Sequence, residues 1–105
     1  MIDFAFQVRW MPRAIKDLKR LPKRDSRRVM DAVERFARTN DGDVQQLTDV
    51  DPPEHRLRVG DYRVRFNLDR PGRILTVLRV LPRDKAYRVR EVQDSYGTRE
   101  GILVP

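Results

Sequence analysis

The spacing of apolar residues along this chain changes from two to about four and back again, and each change marks an element. In residues 2–9, IDFAFQVR, the residues Ile2, Phe4, Phe6 and Val8 alternate with polar neighbours, which predicts a strand with one buried face. Pro12 suits the first turn of a helix, and Ala14, Ile15, Leu18 and Leu21 then recur at helical spacing over residues 12–21. Pro22 ends that helix. A second helix is predicted from about Lys23 or Asp25 to about Thr39, with Val29, Val33, Phe36 and Ala37 as its apolar face. Asp25 or Ser26 is the expected cap at its start, and Asn40 with Gly42 fits its end. Two helices so close in sequence predict a hairpin laid on a sheet.

Residues 40–54, NDGDVQQLTDVDPPE, lack either period and read as an acidic loop, with Leu47 as its anchor to the core. Residues 55–59 and 62–68 alternate again, and Gly60-Asp61 between them predicts a tight hairpin. Residues 73–81, RILTVLRVL, are apolar at nearly every position, which predicts a central strand covered on both faces. Residues 84–92 are compatible with a short helix or a last strand. The expected fold is α+β, of order β-α-α-β-β-β, with the helical hairpin on one face of a small, mainly antiparallel sheet. Residues 1–92 form the single domain, and 93–105 read as a C-terminal extension.

Charge changes this picture more than composition does. Of 105 residues, 37% are charged and 39% apolar, enough for one domain with a modest core. The net charge of +7 is unevenly placed. Residues 39–54 carry five acidic and no basic side chains, whereas residues 55–90 carry eleven basic and three acidic ones. The basic residues are 19 arginines and 4 lysines, and the planar guanidinium fork matches phosphate. The absence of cysteine excludes disulfides and thiolate metal sites, and a single histidine, His55, argues against a zinc or iron centre. No cofactor is expected. No apolar run is long enough to span a membrane. The first ten residues lack a basic start followed by an apolar stretch, so no signal peptide and a cytoplasmic location are expected.

Strand parity sorts the basic block. In residues 55–59, Arg56 and Arg58 point one way, and His55, Leu57 and Val59 the other. In the partner strand Tyr62, Val64, Phe66 and Leu68 face the core, and Arg63, Arg65 and Asn67 face outward. The short turn then puts Arg56, Arg58, Arg63 and Arg65 on one surface. Those cations repel one another unless an anion sits between them, which makes the surface a candidate site; a solvated face with arginine stems over apolar surface is the alternative. Arg79, placed by parity beside Leu75, Val77 and Leu81, needs a carboxylate such as Asp17 or Asp31. Arg83 follows Pro82 at the strand end, with Tyr87 one helical turn on. Arg13, Lys16 and Arg20 form a basic stripe on the first helix.

The segment HRLRVGDYRVRFNL, followed by ILTVLRVLPRDKAYR, resembles the C-terminal half of the RelE/ParE toxin superfamily of toxin–antitoxin modules, and WMPRAIKDLKRLPKRDSRRVMDAVERF resembles its helical hairpin. The resemblance spans roughly residues 2–90 and implies the β-α-α-β-β-β fold and a tightly bound, acidic antitoxin. RelE-like members cleave mRNA on the ribosome without a metal: the RNA 2′-OH attacks the neighbouring phosphate, assisted by basic residues and a tyrosine. ParE-like members poison DNA gyrase and lack that set. Carried onto this chain, the set falls on Arg56, Arg58, Arg63, Arg83 and Tyr87, which implies a metal-independent endoribonuclease that inhibits translation. In this reading Arg63, Arg83 and Tyr87 are catalytic, and Arg56, Arg58 and Arg65 bind phosphate. Arg13, Lys16 and Arg20, with Arg24, Arg27 and Arg28, dock on ribosomal RNA. The chain departs from the pattern in two ways. Arginines replace the common lysines at Arg56 and Arg58, and Pro82 stands where many relatives carry histidine. Arginine stays protonated and is a poor general base, which leaves Tyr87 as the proton acceptor and allows a slow enzyme. Two other readings keep the fold: a ParE-like gyrase inhibitor, and a non-catalytic protein whose arginine face holds an acidic antitoxin segment. Operator DNA would then be contacted only through the antitoxin complex.

Overall fold

The computed structural model describes residues 5–47 and 53–84. Its elements are β1 (Gln7–Trp10), α1 (Pro12–Lys19), α2 (Lys23–Thr39), β2 (Asp43–Leu47), β3 (Glu54–Val59), β4 (Tyr62–Asp69) and β5 (Ile74–Pro82). The five strands form one sheet in the order β1-β5-β4-β3-β2, with β1 parallel to β5 and every other pair antiparallel. Both helices pack on one face. Their contribution to the core is Ala14, Val29, Val33, Phe36 and Ala37; the sheet contributes Leu57, Val59, Val64, Phe66, Leu75, Val77 and Val80. The Phe36 and Phe66 rings meet at a centroid distance of 5.5 Å and a tilt of 56°, which locks α2 to β4. No helix among the described residues is long and apolar enough to cross a membrane.

The expected α+β architecture is present, with an additional strand. Residues 43–47, expected within an acidic loop, form β2 and pair with β3 along its whole length, Asp43 opposite Arg58 and Leu47 opposite Glu54. The segment DVQQL escapes a periodicity reading because its two apolar residues, Val44 and Leu47, stand three apart with two exposed glutamines between them, which breaks the alternation of a half-buried strand. Leu47 is buried, as an anchor should be. Asp25, one of the two expected caps of the second helix, does not cap it. Helix α2 begins at Lys23 after Pro22 with no side-chain cap, and Asp25 instead accepts a 2.7 Å hydrogen bond from the Tyr62 hydroxyl. Asn40 closes the helix as expected, in the left-handed conformation with φ of 66°.

Helix α1 turns differently from the prediction. Ala14 and Asp17 are buried and Leu18 and Leu21 partly so, which is one inward stripe at spacings of three and four; Ile15 lies off that stripe and is 41% exposed. Asp17 can be buried because three donors meet it. Arg79 Nε lies 2.8 Å from Oδ2, Arg79 Nη2 3.1 Å from Oδ1, and the Val80 amide 2.8 Å from Oδ2. That amide is available because β1 pairs with β5 no farther than Val77. The partner proposed for Arg79 is therefore present, yet its parity is the reverse of that expected. The β4–β5 register slips between Arg65/Phe66, so that Arg65 faces Arg79 but Phe66 faces Val77, and Leu78 is the extra residue. Val80, not Arg79, thus shares the core face with Leu75 and Val77. Strand β5 lies inside the sheet as predicted, with Ile74, Thr76 and Leu78 only half covered. Strand β1 begins at Gln7, and Phe6, Val8 and Trp10 pack against the core.

Candidate nucleic-acid interface

The hairpin of β3 and β4 fixes which side chains share the outer face. Gly60 takes φ of 57° at the first turn position, where a side chain would be strained, and so permits the short connection. The register then sets Arg56 opposite Arg65 and Arg58 opposite Arg63. Cross-strand neighbours lie on one face with Cβ atoms about 5 Å apart, so these four arginines do share a surface. Arg83 joins them from the chain leaving β5. Its amide donates 2.8 Å to the Asp61 carbonyl, which ties that end of β5 to the hairpin turn. The chain becomes helical at Arg83 and Asp84, and both are exposed.

Arg63 is the centre of the group. Its guanidinium Nη1 donates at 3.0 Å to both the Gly60 and Tyr62 carbonyls, which fixes it at the hairpin end. Its pKa is pushed below the ordinary arginine value, first by partial burial and then by the positive fields of Arg58, Arg56 and Arg83; Asp43 acts in the opposite sense. Arg56, Arg58 and Arg83 thus all lie near enough to act on Arg63, and the four define the site. Arg56 also reaches across to β2, donating 3.2 Å to Gln45 Oε1. Like charges facing each other across strands are destabilising, and a phosphate between them reverses the sign of that interaction.

Arg65 behaves differently from the expectation. It is 6% exposed, and Nε and Nη2 lie 2.9 and 2.7 Å from Glu54 Oε1. A buried arginine engaged by a carboxylate holds β3 to β4 and is not presented to a nucleic acid. Its partner Glu54, expected at the end of the acidic loop, is the first residue of β3, a register the sequence alone does not supply. The stripe Arg13, Lys16 and Arg20 is exposed, on and just after α1, as a second basic surface apart from the hairpin. Tyr87 lies outside the described residues, as does the extension 93–105.

His55 sits on the opposite face from Arg56 and Arg58, as parity predicts. Its ring stacks on Phe66 at 5.3 Å and 20°, and its Nδ1 is buried with no hydrogen-bond partner among the described residues. Burial, with a smaller effect from Arg70, lowers its pKa below 6.5 and favours the neutral ring. It is a packing residue. The side chains that sequence reasoning missed are Asp43 and Gln45. Both fall on the arginine face, opposite Arg58 and Arg56, because β2 exists. No apolar alternation marks that strand, so only the register could find them.

A search of curated protein sequences found no match. Solved structures that share the fold include three toxin–antitoxin complexes. An archaeal RelE–RelB complex from Pyrococcus horikoshii is 25% identical, covering 75% of this chain and 96% of that chain with a TM-score of 0.65. A RelB–RelE antitoxin–toxin complex from Methanococcus jannaschii is 24% identical, covering 77% and 96% with a TM-score of 0.62. The toxin–antitoxin complex RelBE2 from Mycobacterium tuberculosis is 24% identical, covering 75% and 99% with a TM-score of 0.60. The sequence model for the ParE toxin of type II toxin–antitoxin systems matches residues 8–87, most of the chain. With the matching architecture of two helices on a five-stranded sheet, this chain belongs to the ParE toxin family, within the RelE/ParE superfamily of type II toxin–antitoxin modules.

Proposed function

We propose that this toxin is a metal-independent, ribosome-dependent endoribonuclease that cleaves mRNA and so inhibits translation. The observation that carries the reading is the cluster of Arg56, Arg58, Arg63 and Arg83 at one end of the hairpin. These guanidiniums bind the scissile phosphate and offset the charge that builds up as the RNA 2′-OH attacks it. Tyr87 orients that hydroxyl or accepts its proton. Arg13, Lys16 and Arg20 dock on ribosomal RNA, an attachment that weakens steeply with salt. The partner outside the ribosome is an acidic antitoxin, in keeping with the RelB chains of the structurally similar complexes. The proposed location is the cytoplasm, where ribosomes and antitoxin are found.

Growth and mRNA-cleavage assays of Arg83→Ala and Tyr87→Phe test these roles. Loss of both activities is expected; full toxicity with undiminished cleavage in both variants would sink the assignment. A second reading, inhibition of DNA gyrase, is favoured by the match to the ParE family model. It predicts that the purified toxin blocks gyrase supercoiling and leaves ribosome-bound mRNA intact.

A further inference from the structure

The arginine face has phosphate binders in plenty and no base among them. Strand β2 supplies one. Asp43 stands opposite Arg58, which stands opposite Arg63, so a carboxylate and two guanidiniums form one row across three adjacent strands. With strands about 4.8 Å apart, Asp43 and Arg63 lie roughly 10 Å from each other with Arg58 between them. Asp43 is exposed and makes no ion pair with any described residue, although its field reaches Arg63. Of the other described carboxylates nearby, Asp61 lies in the hairpin turn and Asp84 follows Arg83, both off this row, and three more are engaged elsewhere. Asp41 is paired with Arg35 at 2.8 Å, Glu54 with Arg65 at 2.7 Å, and Asp25 accepts from Tyr62. A phosphate held between Arg58 and Arg63 has Asp43 at the β2 end of the row, within the width of one nucleotide.

We propose that Asp43 is the general base of the cleavage reaction, a role that rests on the ribonuclease reading above. The Asp43 carboxylate takes the proton of the 2′-OH as the oxygen attacks phosphorus. The new O2′–P bond forms and the P–O5′ bond breaks, leaving a 2′,3′-cyclic phosphate on one fragment. The departing 5′-oxygen takes a proton from water, and Asp43 returns its own to solvent. Arg58, Arg63 and Arg83 remain charged throughout, which suits them to the phosphorane and not to proton transfer.

The test is single-turnover cleavage of mRNA on programmed ribosomes by the full-length toxin and its Asp43→Asn and Asp43→Glu variants, with ribosome affinity and urea midpoint measured for each. Loss of a general base lowers the rate by about 10²–10⁴-fold. That loss is expected in Asp43→Asn with unchanged affinity and midpoint, together with loss of the acid limb of the pH–rate profile. Asp43→Glu is expected to recover part of the rate. Cleavage by Asp43→Asn within threefold of wild type overturns the proposal while the ribonuclease reading stands. So does tighter RNA binding with undiminished cleavage, the result expected if Asp43 merely dilutes positive charge. A wild-type toxin that cuts no RNA overturns both.

Discussion

Replacing Asp17 with alanine should cost this fold more than almost any other single polar change. The Asp17 and Arg79 side chains are 7% and 19% exposed, and three hydrogen bonds converge on the carboxylate. Removing one partner of a buried ion pair costs about 3–5 kcal/mol, because the other charge is left without compensation. Partial exposure of Arg79 puts the ionic part at the low end of that range. The Val80 amide, buried within β5, loses its acceptor as well, at about 1–3 kcal/mol. A total near 4 kcal/mol is a large share of the roughly 5–15 kcal/mol that holds a domain together. At a urea slope of about 2 kcal/mol/M, the unfolding midpoint should fall by about 2 M. Asp17→Asn should be less damaging, since its amide oxygen still accepts from one donor while its NH₂ group faces the guanidinium. The double variant Asp17→Leu/Arg79→Met should regain most of the loss, retaining only the cost of the Val80 amide. Equilibrium urea unfolding followed by circular dichroism measures all three. An Asp17→Ala loss below about 1 kcal/mol, where surface substitutions fall, would refute the reasoning, as would a double variant less stable than Asp17→Ala.

Other expectations follow from the same geometry. Arg65→Ala should lower stability by about 3–5 kcal/mol because Glu54 is left buried and unpaired; a change within about 0.5 kcal/mol in urea unfolding would return Arg65 to the exposed patch. The His55 pKa is lowered in the fold, so its stabilising contribution is fully present above pH 6.5 and is lost as pH falls through the folded-state value. Wild type should therefore lose stability over that acidic window relative to His55→Phe, and identical pH dependence of the two urea midpoints would contradict this. Replacing Arg13, Lys16 and Arg20 together by glutamine should reduce the slope of log affinity against log salt for ribosome binding by roughly 2–3, one increment per lost phosphate contact; an unchanged slope would remove the stripe from the interface.

Much of the architecture can be read from periodicity because the core is built by it. Val29, Val33 and Phe36 on α2, and Leu57, Val64 and Phe66 on the hairpin, are buried where their spacing says they should be. Several exceptions arise where a polar group is satisfied by a residue distant in sequence. Asp17 replaces Ile15 on the inward stripe of α1 because Arg79, 62 residues away, meets it there. The bulge that moves Arg79 off the core face arises between β4 and β5 and leaves no mark in the strand's own composition. Arg65 and Glu54 likewise read as surface charges until the register joins them. The site was legible in proportion to its locality. Arg56, Arg58 and Arg63 sit on one hairpin whose turn and parity are visible in eleven consecutive residues, 56–66. Asp43 arrives through a strand held by pairing alone, so the residue proposed as the base was the one the sequence could not show.

The most direct test of the ribonuclease reading is what the purified toxin does to a message positioned on the ribosome. Incubation with ribosomes carrying a defined mRNA should yield a fragment ending in a 2′,3′-cyclic phosphate and another beginning with a 5′-hydroxyl. Arg63→Ala should reduce that yield by about 10²-fold, the scale of losing one preorganised charge at the reacting phosphate. Intact mRNA in that assay, alongside loss of supercoiling when the same toxin is added to DNA gyrase, would contradict it.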